Sequence, residues 1–128
     1  VFERVNILVA MDIGIISLAD TVGVATPQQV YDVTSYLVES LPGTEIGVHL
    51  HSTPENWKEK LEAAVRAGCK RFDGALKGIG GCPMADDDLV GNMNSELMIQ
   101  YFENKELLTD LNKEALIESL QIAERIFI

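Results

Sequence analysis

Three things are scarce in this chain of 128 residues, and each scarcity removes a class of protein. Basic residues come first: 10 lysines and arginines stand against 20 aspartates and glutamates, a formal charge of −10. A surface of that sign repels a phosphate backbone, so no nucleic-acid partner is expected. Cysteine comes second. Cys69 and Cys82 are the only two, without a second pair or a Cys-x-x-Cys spacing, which fits a reducing compartment such as the bacterial cytoplasm better than a disulfide framework. Long hydrophobic runs come third. A stretch such as Ile13 to Leu18 is far too short and interrupted to span a bilayer, so no membrane partner is expected, and no leader of the basic, apolar, small-residue kind is visible. What remains is 47% hydrophobic and 23% charged, too apolar for disorder and of a length that suits one domain. The chain opens on Val1, and Val1-Phe2-Glu3-Arg4-Val5 reads as a helix interior with no capping residue before it. Further chain upstream is therefore expected.

The periodicity alternates along the sequence. Val1, Val5, Leu8 and Val9 form a helical stripe up to about Asp12. After Gly14, the run Ile15-Ile16-Ser17-Leu18-Ala19 reads as a strand buried on both faces, ending in Asp20-Thr21. Thr26-Pro27 supplies an N-cap and a proline at the first helical position, and Val30, Val33, Thr34, Leu37 and Val38 mark the face of the helix that follows, stopped by Pro42-Gly43. The cycle repeats with a strand over 45–51, a second Thr-Pro start at Thr53-Pro54, and a stripe of Trp57, Leu61, Ala64 and Val65 ended by Gly68. A third strand is expected over 71–76, then a glycine-rich polar stretch over 77–92, a helix over about 95–103, and a last helix capped by Asn112 with the stripe Leu116, Leu120, Ala123 and Phe127. Strands and helices alternating in short modules predict a parallel α/β sheet forming one architectural unit over 1–128. Functional groups in such sheets gather past the carboxyl ends of the strands. The polar residues sit there, whereas the returning turns are short and bland.

His49 and His51 are the only histidines. Two apart on a strand, they point to one face, which gives half of a metal site or, alternatively, two partly buried polar residues at a strand end. Asn92, Asp73 and Asp20 are the oxygen donors placed to complete such a site; Asp20 also suits a turn or cap, and Asp73 before Gly74 could simply satisfy a backbone group. In Gly78-Ile79-Gly80-Gly81-Cys82-Pro83, three glycines allow close approach to a ligand. The segment lacks both the Gly-Lys-Ser/Thr ending and the Gly-x-Gly-x-x-Gly spacing of nucleotide loops. Cys82, beside imidazoles or a metal, is a candidate nucleophile or proton donor, while Cys69, between a helix end and a strand start, reads as a small buried hydrophobe. Asp86-Asp87-Asp88 lacks the spacing of a calcium loop and reads as a solvated acidic turn.

Four separated blocks carry a resemblance. Ile16-Ser17-Leu18-Ala19-Asp20-Thr21-Val22-Gly23-Val24-Ala25-Thr26-Pro27, Val48-His49-Leu50-His51, Lys77-Gly78-Ile79-Gly80-Gly81-Cys82-Pro83-Met84-Ala85 and Gly91-Asn92 together resemble the second half of hydroxymethylglutaryl-CoA lyase, in that family's order. The Ser-Leu-x-Asp-Thr and His-x-His blocks are shared with isopropylmalate and homocitrate synthases, and Cys82 selects the lyase. The resemblance implies a partial (β/α)8 TIM barrel comprising about the last three or four βα units, since a whole barrel takes ~250 residues. It implies cleavage of 3-hydroxy-3-methylglutaryl-CoA to acetyl-CoA and acetoacetate with a divalent cation, Mg or Mn. His49, His51 and Asn92 would be metal ligands, Cys82 the active-site thiol that protonates the departing enolate, His49 the base that takes the hydroxyl proton, and Asp20 a supporting acid or base.

The sequence also departs from the family. Ser52-Thr53 stands where Asp-Thr is usual, and the family's Arg-Asp pair from the first barrel strand has no counterpart in these residues. Weak metal binding and no turnover are accordingly expected of the 128 residues alone. A condensing synthase or aldolase of the same superfamily is one alternative. A non-catalytic half-barrel whose unpaired sheet edges drive association, as in a homodimer, is the other.

Overall fold

A computed structural model describes residues 1–81 and 90–127. Helix α1 (Phe2–Ala10) leads into strand β1 (Ile15–Asp20), followed by α2 (Pro27–Ser40), β2 (Glu45–Leu50), α3 (Trp57–Arg66) and the short β3 (Arg71–Asp73). A 3-10 turn over Leu76–Gly78 precedes α4 (Ser95–Asn104) and α5 (Lys113–Ile126). The strands are parallel and lie in sequence order, β1-β2-β3, so each helix between them is a crossover connection of the βαβ kind. Three parallel strands in sequence order joined by helices are the arrangement of consecutive βα units in a (β/α)8 barrel.

Local chemistry accounts for several boundaries. Thr26 and Gln29 form a reciprocal capping box: the Gln29 amide donates to Thr26 Oγ1 at 3.2 Å and the Thr26 amide to Gln29 Oε1 at 2.8 Å, satisfying two amide donors at the helix start. The second Thr-Pro pair behaves differently. The Thr53 amide donates to Asn56 Oδ1 at 2.9 Å, and the Thr53 carbonyl accepts from the amides of Asn56 and Trp57. Thr53-Pro54 thus builds a turn, and α3 starts at Trp57 instead of at Pro54. Asn112 caps α5 as expected, accepting from the Ala115 amide at 3.0 Å. Asn94 caps α4 in the same way, through the Leu97 amide at 3.1 Å.

Strand parity sorts packing from exposure. Ile46, Val48 and Leu50 on β2 and Ile16 on β1 are buried beneath the helices. One cluster joins Val48 and Leu50 to Val30, Leu61, Ala64, Met93 and Met98; another joins Ile16 and Ile46 to Val5 and Leu37. Ile15, Ser17 and Ala19, on the other face of β1, are exposed. The expectation of a strand buried on both faces therefore fails for β1, because helices cover only one side of the sheet. The third strand is also shorter than expected: at Gly74 the chain leaves β2 and runs beside Met93 to Ser95, where a Cβ would collide with the Met93 carbonyl and the Met98 side chain. In α5 only Ala123 is buried, and Phe127, expected on the packed stripe, is exposed.

Candidate active site

The carboxyl ends of the strands bring His49, His51, Asp73 and Asn92 together and send Asp20 elsewhere. His49 and His51 share the open face of β2, their ring centroids 5.4 Å apart and the planes tilted by 72°. His51 is 5% exposed, and its Nδ1 lies 2.8 Å from the Val90 carbonyl. A carbonyl only accepts, so Nδ1 of the neutral ring carries the proton and Nε2 keeps a free lone pair. That is the tautomer a metal ligand needs, held in place by an outer hydrogen bond. His49 is half-buried, in register with Asp73, whose Oδ2 accepts from Ser17 Oγ at 2.9 Å.

Asn92 is brought in by the strap that follows the 3-10 turn. Residues 77–81 return antiparallel against 91–92, with bridges pairing Gly81 with Gly91 and His51 with Asn92. Lys77, Gly78 and Gly80 all have positive φ (59°, 66° and 92°). A Cβ on Gly80 would stand 2.9 Å from Asn92 Nδ2, and one on Gly78 2.9 Å from the Asn92 carbonyl. The glycines thus let the strap press onto Asn92, whose Nδ2 donates to the Ile79 carbonyl at 2.8 Å and, at 3.4 Å, to that of Gly80. With the amide fixed that way round, Oδ1 is buried with no hydrogen-bond partner among the described residues. An orphaned buried carbonyl oxygen costs free energy unless something accepts its lone pairs, and a hard divalent cation is such a group. Among the described residues, no three His, Cys, Asp or Glu side chains come together as a metal cage, so the amide of Asn92 is the third donor this donor set offers. His49, His51 and Asn92 offer two imidazole nitrogens and an amide oxygen, donors of the kind a cation of the Mn class takes. Cys82 and the run Asp86-Asp87-Asp88 lie outside the described residues.

Asp20 is paired in register with Leu50 and so belongs to the helix-covered side of the sheet. Its carboxylate, with the side chain 8% exposed, meets Lys60 Nζ at 2.8 Å and accepts from the Ala25 amide. The structure thus gives Asp20 an ion-pairing partner and separates it from the histidines by the thickness of a strand. Lys60 escaped notice in the sequence, although its position three residues after Trp57 and four before Ala64 puts it on the apolar stripe of α3. Cys69 is buried as expected, its thiol within hydrogen-bond reach of the carbonyls of Ile46 and Arg71, and burial pushes its pKa up. No described helix is long and apolar enough to cross a membrane.

The chain matches the model of the HMGL-like family over residues 1–122. It is 39% identical to the (R)-citramalyl-CoA lyase of Chloroflexus aurantiacus over 119 residues, covering 90% of this chain and 37% of that protein. It is 32% identical to a hydroxymethylglutaryl-CoA lyase of Bacillus subtilis over 109 residues, covering 85% of this chain and 36% of that one. Among solved structures, an HMG-CoA lyase from Acinetobacter baumannii in complex with coenzyme A and 3-methylmalate superposes with a TM-score of 0.77 at 34% identity, over 91% of this chain and 38% of its own. The chain therefore spans a little over a third of the length of these relatives.

Proposed function

Because the chain belongs to the HMGL-like family of lyases, we propose that it forms the metal-binding side of an active site that cleaves a 3-hydroxy-3-methyl acyl-CoA, with 3-hydroxy-3-methylglutaryl-CoA as the substrate. The observation that carries this reading is the Asn92 amide, locked through Nδ2, whose buried Oδ1 has no hydrogen-bond partner among the described residues, on a residue bridged to His51 through the backbone. The bound coenzyme A of the Acinetobacter relative supports an acyl-CoA as the class of substrate.

The reaction needs the tertiary hydroxyl to lose a proton, the bond between C2 and C3 to break, and the thioester enolate to gain a proton at C2. A divalent cation, when bound, supplies Lewis-acid polarisation of the hydroxyl and of the emerging ketone. His51 offers Nε2 because Nδ1 is occupied by Val90. His49 has two possible duties, ligand and base for the hydroxyl proton, and one lone pair cannot serve both at once. Asp73, in register with His49, has its carboxylate fixed by the Ser17 hydroxyl. Cys82, two residues beyond Gly80 in the sequence, is the proton donor to C2 in this reading.

The second reading is cleavage of (R)-citramalyl-CoA, favoured by the 39% identity to that lyase. Both substrates release acetyl-CoA, but the ketone product is acetoacetate from one and pyruvate from the other. Incubating these residues within a complete lyase barrel with each thioester and Mn2+, with and without a chelator, is the test, since no turnover is expected of the 128 residues alone. Chelator-sensitive acetoacetate release is expected; pyruvate release alone would transfer the assignment to the second reading, and cleavage of neither would sink both.

A further inference from the structure

Helix α3 carries a buried ammonium that the proposed chemistry does not use. Lys60 is 1% exposed, and its Nζ donates to Asp20 Oδ2 at 2.8 Å, to the Gly23 carbonyl at 2.8 Å and to the His51 carbonyl at 3.0 Å. An ammonium has three protons, so each has a partner, and the partners come from the end of β1, the loop after it and the residue just past β2. Charge compensation requires only Asp20. The two carbonyls belong to segments that build the site. Gly23 lies so close to Val90 that a Cβ would stand 2.8 Å from its Cγ1, and the Val90 carbonyl is the one that holds His51 Nδ1. The contacts close a ring: Lys60 to Gly23, Gly23 against Val90, Val90 to the His51 imidazole, and the His51 carbonyl back to Lys60.

We propose that Lys60 is a positioning residue for the site described above. By gathering the Asp20 carboxylate and the carbonyls of Gly23 and His51 on one ammonium, it fixes the backbone from which the His51 imidazole projects, and with it the pairing of His51 and Asn92. Asp20 then acts through Lys60, from the packed side of the sheet, on a group on the open side.

Amide hydrogen exchange in the metal-free protein tests this, because the Ser52 amide donates to Gly91 at 3.1 Å and the Met93 amide to Leu50 at 3.0 Å, on either side of His51 and Asn92. In Lys60→Met, exchange at Ser52 and Met93 should accelerate at least about tenfold more than exchange in α2, since local opening is separable from global unfolding. The double variant Asp20→Asn/Lys60→Met removes the unbalanced carboxylate; it should recover most of the lost Tm while keeping the local excess at Ser52 and Met93. Equal acceleration everywhere, or disappearance of the excess in the double variant, would show that Lys60 only balances charge. If Lys60→Met does not fold, the double variant compared with the parent decides alone, an excess supporting the proposal and its absence refuting it. Titration with Mn2+ adds a separate arm, in which both variants should bind about tenfold more weakly, the scale of an outer-contact loss. A parent protein that binds no Mn2+ would refute the metal reading and leave the exchange result to judge Lys60.

Discussion

The two faces of strand β2 carry alternate residues of one hexapeptide and share almost nothing else. Ile46, Val48 and Leu50 are buried against helices, while Gly47 and His49, with His51 just beyond, face the open side, where Arg71 and Glu45 form an exposed ion pair at 2.9 Å. On the packed face, free energy comes from excluding water from apolar area. On the open face lie the groups of the proposed site, and the buried Asn92 Oδ1 has no hydrogen-bond partner among the described residues. Stability and chemistry are therefore divided by parity along a single strand, and a substitution should disturb one far more than the other.

The sharpest break comes from the packed side. Leu61 is fully buried in the cluster that holds Val48 and Leu50, so Leu61→Ala should cost about 3 kcal/mol of unfolding free energy by denaturant titration, with Mn2+ affinity unchanged as long as the chain is folded. On the open side the order reverses. His51→Ala should weaken Mn2+ binding by more than the roughly tenfold typical of losing an outer contact, while the loss of its hydrogen bond to Val90 costs only about 1 kcal/mol; unchanged Mn2+ affinity would remove His51 from the site. The smallest effect is reserved for the exposed pair. Glu45→Gln should change stability by less than about 0.5 kcal/mol, because both partners are about half exposed and screened, and a larger loss would mean that the open face contributes to folding after all.

Parity was legible in the sequence for the histidines and illegible for Asp20, and the reason is physical. His49 and His51 lie on one strand, where alternation alone puts them on one face. Relating Asp20 to them requires the register between two strands, which depends on how α2 packs and is not written in either strand. The observed register pairs Asp20 with Leu50, so the residue expected beside the histidines as an acid or base is found behind them, bonded to Lys60. The stripe of α3 did contain a warning. Lys60 falls where an apolar residue belongs, between Trp57 and Ala64, and a charge on a buried stripe calls for a partner of opposite sign. The helix start at Thr26-Pro27 could be read from the pair itself, and Gln29 three residues on completes a capping box there. The second Thr-Pro pair lacks that glutamine or glutamate and makes a turn first. The three-stranded parallel order and the barrel relationship were legible from module alternation and motif order, whereas the exposure of α5 was not, since an amphipathic stripe states which face is apolar and says nothing about whether a neighbour covers it.

The sequence order of the strands, β1 then β2 then β3 with no exchange of places, has a consequence for synthesis. Among the described strands, β2 docks on β1 and β3 on β2, and each pairing closes a loop no longer than one helix and its turns. A chain emerging from the ribosome therefore makes each of these two pairings on a strand already in place. The contacts of the strap over 77–81 with Asn92 form after these strands have been made, so the part of the molecule that holds the orphaned oxygen is completed only once the sheet beneath it has been assembled.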